Sequence, residues 1–365
     1  MEDYRKKEEK KLLDAVKCNP PDIAFLKNRV WLEKGLMTFQ VRKVAWLLFI
    51  GADPENILQC PTYEEAYRDD HQIEVDVNRS FVHFKESKKM SNEDLIVHRR
   101  DLTILIRSLL IEHPSMHYYQ GFHDIVEFLM IYSKFNLNWT YTIMKQLMES
   151  YLKDFMTPNL TEVEKLLQLV YPILNLRCPE LIPVLKNPDK IPVVILPWIL
   201  TLFSHSLSSI YEVARLFDVM LLHPILSLYV ASSVLICFAN DFKVVLHFKS
   251  ELLSSAEDRS AVYSILNTLG SQSLPLEKII LGDTQYFYIS IPPSSALKRA
   301  QKEGIDISSD SMVRMKNEEP RVRRQTLQTV GLLVTAMSVA FVAVIGAMRS
   351  SFVCKETLTI KLYPS

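Results

Sequence analysis

Apolar residues recurring every three or four positions, broken often by proline and seldom by glycine, constrain this chain more than any other feature. From Asn92 to Glu112, Leu95, Ile96, Leu102, Leu105, Ile106, Leu109 and Leu110 form one stripe, and Pro114 follows. Such a stripe predicts a helix of about five turns. "FQVRKVAWLLFIG" (39–51) likewise sets Val41, Val44, Ala45, Leu47 and Leu48 at helical spacing, with Gly51 as the stop. The theme returns over 121–134, 140–156, 161–176, 191–208, 210–221 and 224–239, and 5–17 reads as a solvated helix before the break at Pro20-Pro21. The β-branched run "IPVVILPW" (191–198) carries Pro192 and Pro197 near its ends, which fits short helical junctions better than a strand. With eight glycines against 18 prolines and no repeating period, the body reads as all-α, not a regular solenoid, and ends near Pro293.

Lys+Arg and Asp+Glu both number 42 in 365 residues, so no global field draws the chain to nucleic acid. Five cysteines, Cys18, Cys60, Cys178, Cys237 and Cys354, stand far apart, an odd number with no Cys-x-x-Cys pair, which disfavours both a disulfide framework and a zinc site. No Gly-Lys pair, Gly-x-Gly or Gly-x-Ser-x-Gly occurs, so neither a resident nucleotide site nor an α/β-hydrolase elbow is expected. His113 and His117 are four apart with His123 and Asp124 nearby, but Pro114 intervenes and no second cluster supplies metal ligands.

The C-terminal region is set apart by a stretch without charge, Gln325 to Met348. As a helix it would reach about 36 Å, enough for the roughly 30 Å of a bilayer's hydrocarbon. Arg314, Lys316, Arg321, Arg323 and Arg324 precede it, against Arg349, Lys355 and Lys361 after it, a bias that places the preceding body in the cytosol. The charged start "MEDYRKKEEKK" has no apolar core of the signal-peptide kind. The expectation is a body at 30–293 behind a helical extension (1–29), then a polar linker (294–324), a transmembrane helix (325–348) and a short lumenal tail (349–365).

"IEVDVNRSF" (73–81) supports two exclusive readings. Asn78-Arg79-Ser80 fits a glycan acceptor, as do the sequons at Asn138 and Asn159, but a cytosolic body meets no glycosylation machinery. Alternatively Ile73, Asp76 and Arg79 are spaced to share one helix face. On residues alone this is equally an ordinary surface ion pair at i, i+3. Tyr118-x-Gln120-Gly121 follows some forty residues later, where Gln120 could simply start a helix.

Together, Ile73-x-x-Asp76-x-x-Arg79 and Tyr118-x-Gln120-Gly121 resemble the two signature motifs of the TBC domain, a family of GTPase-activating proteins for Rab GTPases. The resemblance runs over about residues 30–290, through Arg42-x-x-x-Trp46, "HYYQGFHDI" (117–125), "LPW" and "ARLFD" (214–218), whose Leu216-Phe217 stands where Ile-Trp is commoner. It implies a two-lobed helical domain that docks Rab GTPases in the GTP-bound state. It also implies that Arg79 and Gln120 act on the partner's nucleotide, with no cofactor or metal of the chain's own. Asp76 would steady Arg79, Ile73 pack inward, Tyr118 lie beneath the loop of Gln120, Gly121 let the backbone turn beside the partner, and Asp124 support the second motif. With the C-terminal span, "DFMTP" (154–158) and "PELI" (179–182), the resemblance extends to an endoplasmic-reticulum-anchored branch acting in early secretory traffic.

Overall fold

The computed structural model describes residues 2–185, 195–239, 274–291 and Lys302. The linker past 293 (Lys302 apart), the membrane helix and the tail expected above lie outside the described residues, as does 191–194. No described helix is long and apolar enough to cross a membrane.

Among the described residues the regular structure is helical: α1 (Glu2–Lys17), α2 (Ile23–Val30), α3 (Phe39–Phe49), α4 (Asp70–Val77), α5 (Asn92–Glu112), α6 (Phe122–Tyr132), α7 (Leu137–Leu147), α8 (Thr161–Gln168), α9 (Val170–Leu174), α10 (Ile182–Leu185), α11 (Leu196–Leu200), α12 (Ile210–Met220), α13 (Leu226–Cys237), α14 (Leu276–Ile279) and α15 (Gln285–Ser290). The ends follow local chemistry. Ser91 and Asp94 form a reciprocal capping box at the start of α5. At the end of α3 the Gly51 amide bonds Leu48 and the Ala52 amide bonds Leu47, a Schellman closure with Gly51 at φ +82°.

Three expected spans differ in detail. The 161–176 stripe divides into α8 and α9, because Pro172 has no N–H for the carbonyl one turn back. The 140–156 stripe starts earlier, at Leu137, where the Asn136 side chain caps the Trp139 amide, and leaves α-geometry through a wider π turn at Met148–Leu152. Of the described residues 195–208 only those of α11 form a regular α-helix; turns occupy 201–206, with Leu202 and Phe203 at positive φ. Ile96, placed in the α5 stripe by its spacing, is exposed.

Helix α6 is the axis of the packing. All eleven of its residues are buried, and it packs against α5, α7, α12 and α4. Truncating such a side chain, Leu129 for one, typically costs about 2–5 kcal/mol. Beside α6, Asp218 of α12 is fully buried and accepts from Arg42 Nε and Nη2, both at 2.8 Å, from Trp46 Nε1 at 2.9 Å and from the Leu36 amide at 3.2 Å. The Arg42-x-x-x-Trp46 pattern and the aspartate of "ARLFD" therefore meet in one satisfied charge pair. Gly35 completes it: a Cβ there would lie 2.5 Å from Asp218 Oδ2.

Candidate functional site

The first motif sits where α4 ends. Ile73, Asp76 and Val77 turn inward and are buried. Arg79 lies beyond the helix, not on it: its amide bonds the Asp76 carbonyl and the Ser80 amide bonds Val77, both i to i−3 closures that tighten the last turn. This corrects the expectation of three residues on one continuous helix face. The tighter turn aims Arg79 outward: its side chain is 54% exposed, whereas that of Asp76 is 0% exposed. Arg79 Nη2 nevertheless donates to Asp76 Oδ1.

The second motif occupies the loop from α5 to α6. Two flanking regions hold that loop: Arg68 guanidinium nitrogens donate to the Pro114 and Met116 carbonyls, and the His117 amide donates to the Met156 carbonyl at 2.7 Å. Tyr118 does more than pack under Gln120: its hydroxyl donates to Asp76 Oδ2 at 2.8 Å. That one contact joins the two motifs, since Tyr118 is two residues from Gln120 and Asp76 three from Arg79. Burial, with the Asp76 charge beside it, pushes the Tyr118 phenol well above its usual range, so it stays a donor. Gln120 is exposed on a turn, and no hydrogen bond among the described residues holds its side chain. Gly121 caps α6 at φ +104°, and a Cβ there would lie 2.9 Å from Thr201 Cγ2. The close approach that demands glycine is thus made by this chain's own Thr201.

Beneath the motifs lies a layer that sequence reasoning largely missed. His123 Nδ1 is 3.6 Å from Asp76 Oδ2 and its Nε2 is 3.6 Å from Asp124 Oδ1, which also meets His205 Nδ1 at 3.2 Å. Burial alone would raise Asp124, but the charges of His205 and His123 overcome it and hold the carboxyl down to about 2. In return the Asp124 charge and hydrogen bond lift His205 above its ordinary value. Glu127, one turn along α6, is pushed up to about 8 by burial and by Asp124. It lies near the Ser80 hydroxyl and the Phe81 backbone, and its Oε1 has no hydrogen-bond partner among the described residues. His83 stacks on His205 with ring centroids 5.8 Å apart and planes 9° off parallel.

Sequence could have flagged Glu127, a lone acid in the apolar run "IVEFLMIY"; nothing local marks His205, 81 residues from its partner Asp124. His113 goes elsewhere, to the Leu109 carbonyl and Glu149. No group of three His, Cys, Asp or Glu side chains among the described residues is arranged to hold a metal.

The site thus offers an exposed guanidinium anchored on a buried carboxylate, and an unengaged amide side chain nearby. Comparison with known proteins puts this arrangement in context. The Rab-GTPase-TBC domain model matches residues 39–243, more than half of the chain and both motifs. Human TBC1 domain family member 20 is 29% identical over 307 residues, covering 81% of this chain and 70% of the relative. GTPase-activating protein gyp10 of Schizosaccharomyces pombe is 30% identical over 238 residues, covering 64% of this chain and 62% of its own. The crystal structure of the Chlamydomonas flagellar RabGAP TBC domain superposes with a TM-score of 0.53 at 16% identity, over 73% of this chain and 85% of that one, which supports the fold. The chain belongs to the RabGAP-TBC family of Rab-GTPase-TBC domains.

Proposed function

We propose that this protein accelerates GTP hydrolysis by Rab GTPases in their GTP-bound state, with Arg79 and Gln120 acting in trans on the partner's nucleotide. The carrying observation is that Arg79 is more than half exposed while the carboxylate that orients it is fully buried. Hydrolysis spreads negative charge over the γ-phosphoryl oxygens, and the attacking water must be held in line. A planar, permanently charged guanidinium can donate to two phosphate oxygens at once. Gln120 can accept from the water through its amide oxygen and donate through its NH₂. GTP and Mg²⁺ arrive with the Rab, so the chain needs no cofactor or metal of its own. An arginine supplied in this way is worth about 10³ to 10⁵ in rate, or roughly 4–7 kcal/mol of barrier. The fission-yeast relative gyp10 is named as a GTPase-activating protein, which agrees with this activity.

The apolar stretch Gln325–Met348 and its basic flank support a single-pass anchor, with the catalytic body cytosolic. The motif resemblance supports the endoplasmic reticulum or early secretory membranes as the site of action. A second reading, a non-catalytic tail-anchored adaptor or tether, draws on the same anchor and family, but it gives no reason to hold Arg79 in place while leaving it exposed.

The two readings part in single-turnover hydrolysis by a panel of GTP-loaded Rabs, mixed with the full chain in mild detergent. The activator reading expects acceleration of at least one Rab, lost in Arg79→Ala and reduced in Gln120→Ala. Binding without acceleration would leave the adaptor. A glycan found on Asn78, Asn138 or Asn159 would overturn the cytosolic placement.

A further inference from the structure

Arg79 has an exposed counterpart at the far end of the layer beneath the motifs. From Asp76 the layer passes through His123 and Asp124 to His205, at 3.6, 3.6 and 3.2 Å in turn. The three inner side chains, Asp76, His123 and Asp124, are 0%, 9% and 12% exposed, whereas the ends, Arg79 and His205, are 54% and 62% exposed. A buried carboxylate needs a compensating charge or donor. Here each of two carboxylates meets one group that faces solvent, and one of those groups is Arg79.

His205 lies in the turn after α11, a segment tied to the second motif by the Tyr119 hydroxyl on the Leu200 carbonyl at 2.9 Å and by Thr201 against Gly121. Leu202 and Phe203, at φ +47° and +66°, hold a conformation that bulky side chains disfavour, so the surrounding packing fixes the loop that carries the imidazole. Nδ1 is committed to Asp124, and Nε2 has no hydrogen bond among the described residues. An imidazole held by its Nδ1–H on a carboxylate presents Nε2 in a fixed direction, as an acceptor when neutral and as a donor once protonated.

We propose that His205 is a second docking contact, after Arg79, for the GTP-bound GTPase, the Nε2–H of its imidazolium donated to an acidic side chain on the partner. This rests on the Rab-activating reading above and adds a residue and a pH dependence to it. The groups facing His205 are Asp124 and Glu127 from α6, His83 from the segment after α4, and Arg79, with His123 sharing the Asp124 carboxylate from its other side. Asp124 and Glu127 favour the imidazolium and Arg79 opposes it, while His83 and His205 each weaken the other's charge. Because Asp124 lifts the imidazole above its ordinary 6.5, the cation is complete below that pH and is lost as pH rises through the lifted value. Docking should weaken in the same direction.

The test is steady-state activation, by the full chain, of a Rab that the wild type accelerates, with KM, and kcat divided by the Rab's intrinsic rate at the same pH, read from about pH 6 to 8.5 for the wild type, His205→Asn and His205→Lys. Wild-type KM should rise several-fold across that range with kcat nearly constant. His205→Asn should hold the high KM at every pH, and His205→Lys the low one. The inference is overturned if His205→Asn keeps the wild-type KM and pH profile. It is equally overturned if the loss falls on kcat alone, which would put His205 on the reacting atoms, or if His205→Lys behaves like His205→Asn, which would make the role structural. If the wild type accelerates no Rab, the activator reading itself falls and this contact with it.

Discussion

Two arginine–carboxylate pairs in this protein start from the same chemistry and end in opposite roles. Asp218 and Asp76 are both wholly buried and both bind an arginine. Arg42 is closed in on every side: it gives two nitrogens to Asp218, its third reaches the Tyr132 hydroxyl at 3.1 Å, and its side chain is 6% exposed. Arg79 gives one nitrogen to Asp76, and more than half of its side chain is exposed. The number of guanidinium positions left free separates an arginine that holds a fold from one that can be offered to a partner. The shape of the backbone decides it: Arg42 is within helix α3, whereas Arg79 leaves the end of α4 on a tightened turn.

The largest expected effect tests the open pair. Arg79→Ala should lower the accelerated hydrolysis rate by about 10³- to 10⁵-fold. Its stability to denaturant should fall by only about 1–2 kcal/mol, less than breaking the closed pair costs, because buried Asp76 loses one charged partner but keeps the Tyr118 hydroxyl. A comparable loss of stability would erase the distinction between the two pairs. Asp218→Ala should do the reverse: stability falls by about 3–5 kcal/mol because Arg42 is left buried and unpaired. In whatever fraction remains folded, single-turnover rate per folded molecule should be near wild type.

Tyr118→Phe should sharpen the comparison, because it loosens the open pair from behind. Removing a hydrogen bond to a charged group costs about 1.5–3 kcal/mol of stability. Arg79 would also lose part of its orientation, so kcat should fall more than KM rises; an unchanged kcat would remove Tyr118 from the positioning of Arg79.

The smallest effect, taken per pH unit, concerns Glu127. Folding raises this carboxyl from 4.5 to about 8, so its stability contribution is full below about 4.5 and declines as pH rises toward 8. A single group can impose a slope of at most about 1.4 kcal/mol per pH unit. Glu127→Gln should flatten that decline in urea melts, and an unchanged slope would clear Glu127 as its source. Asp124 works with the opposite sign, its contribution lost only as pH falls from about 3.8 toward 2.

Much of the fold was legible because helical burial is written in a local period. The α5 stripe has its stated bounds, Gly51 stops α3, and "ARLFD" lies within α12. Ile96 shows the limit of the method: it has the right spacing, but it stands exposed on the first turns of α5 among the described residues. At the site, Ile73 and Asp76 share one face of α4 as their spacing implied, while Phe81 at φ +65° and the bend after α4 escaped notice because no glycine or proline announces them.

The sequence by itself determined the helical class, the bounds of α5, the stop of α3 and the two motifs, since periodicity, capping and spacing act over a few residues at a time. Only the tertiary structure decided that Tyr118 reaches Asp76, that Thr201 makes Gly121 necessary, and that His205 joins Asp124 from 81 residues away. Those contacts arise from how helices and loops distant in the chain settle around α6. Electrostatics in a buried site depends on which groups meet there, a fact no local pattern of residues can carry.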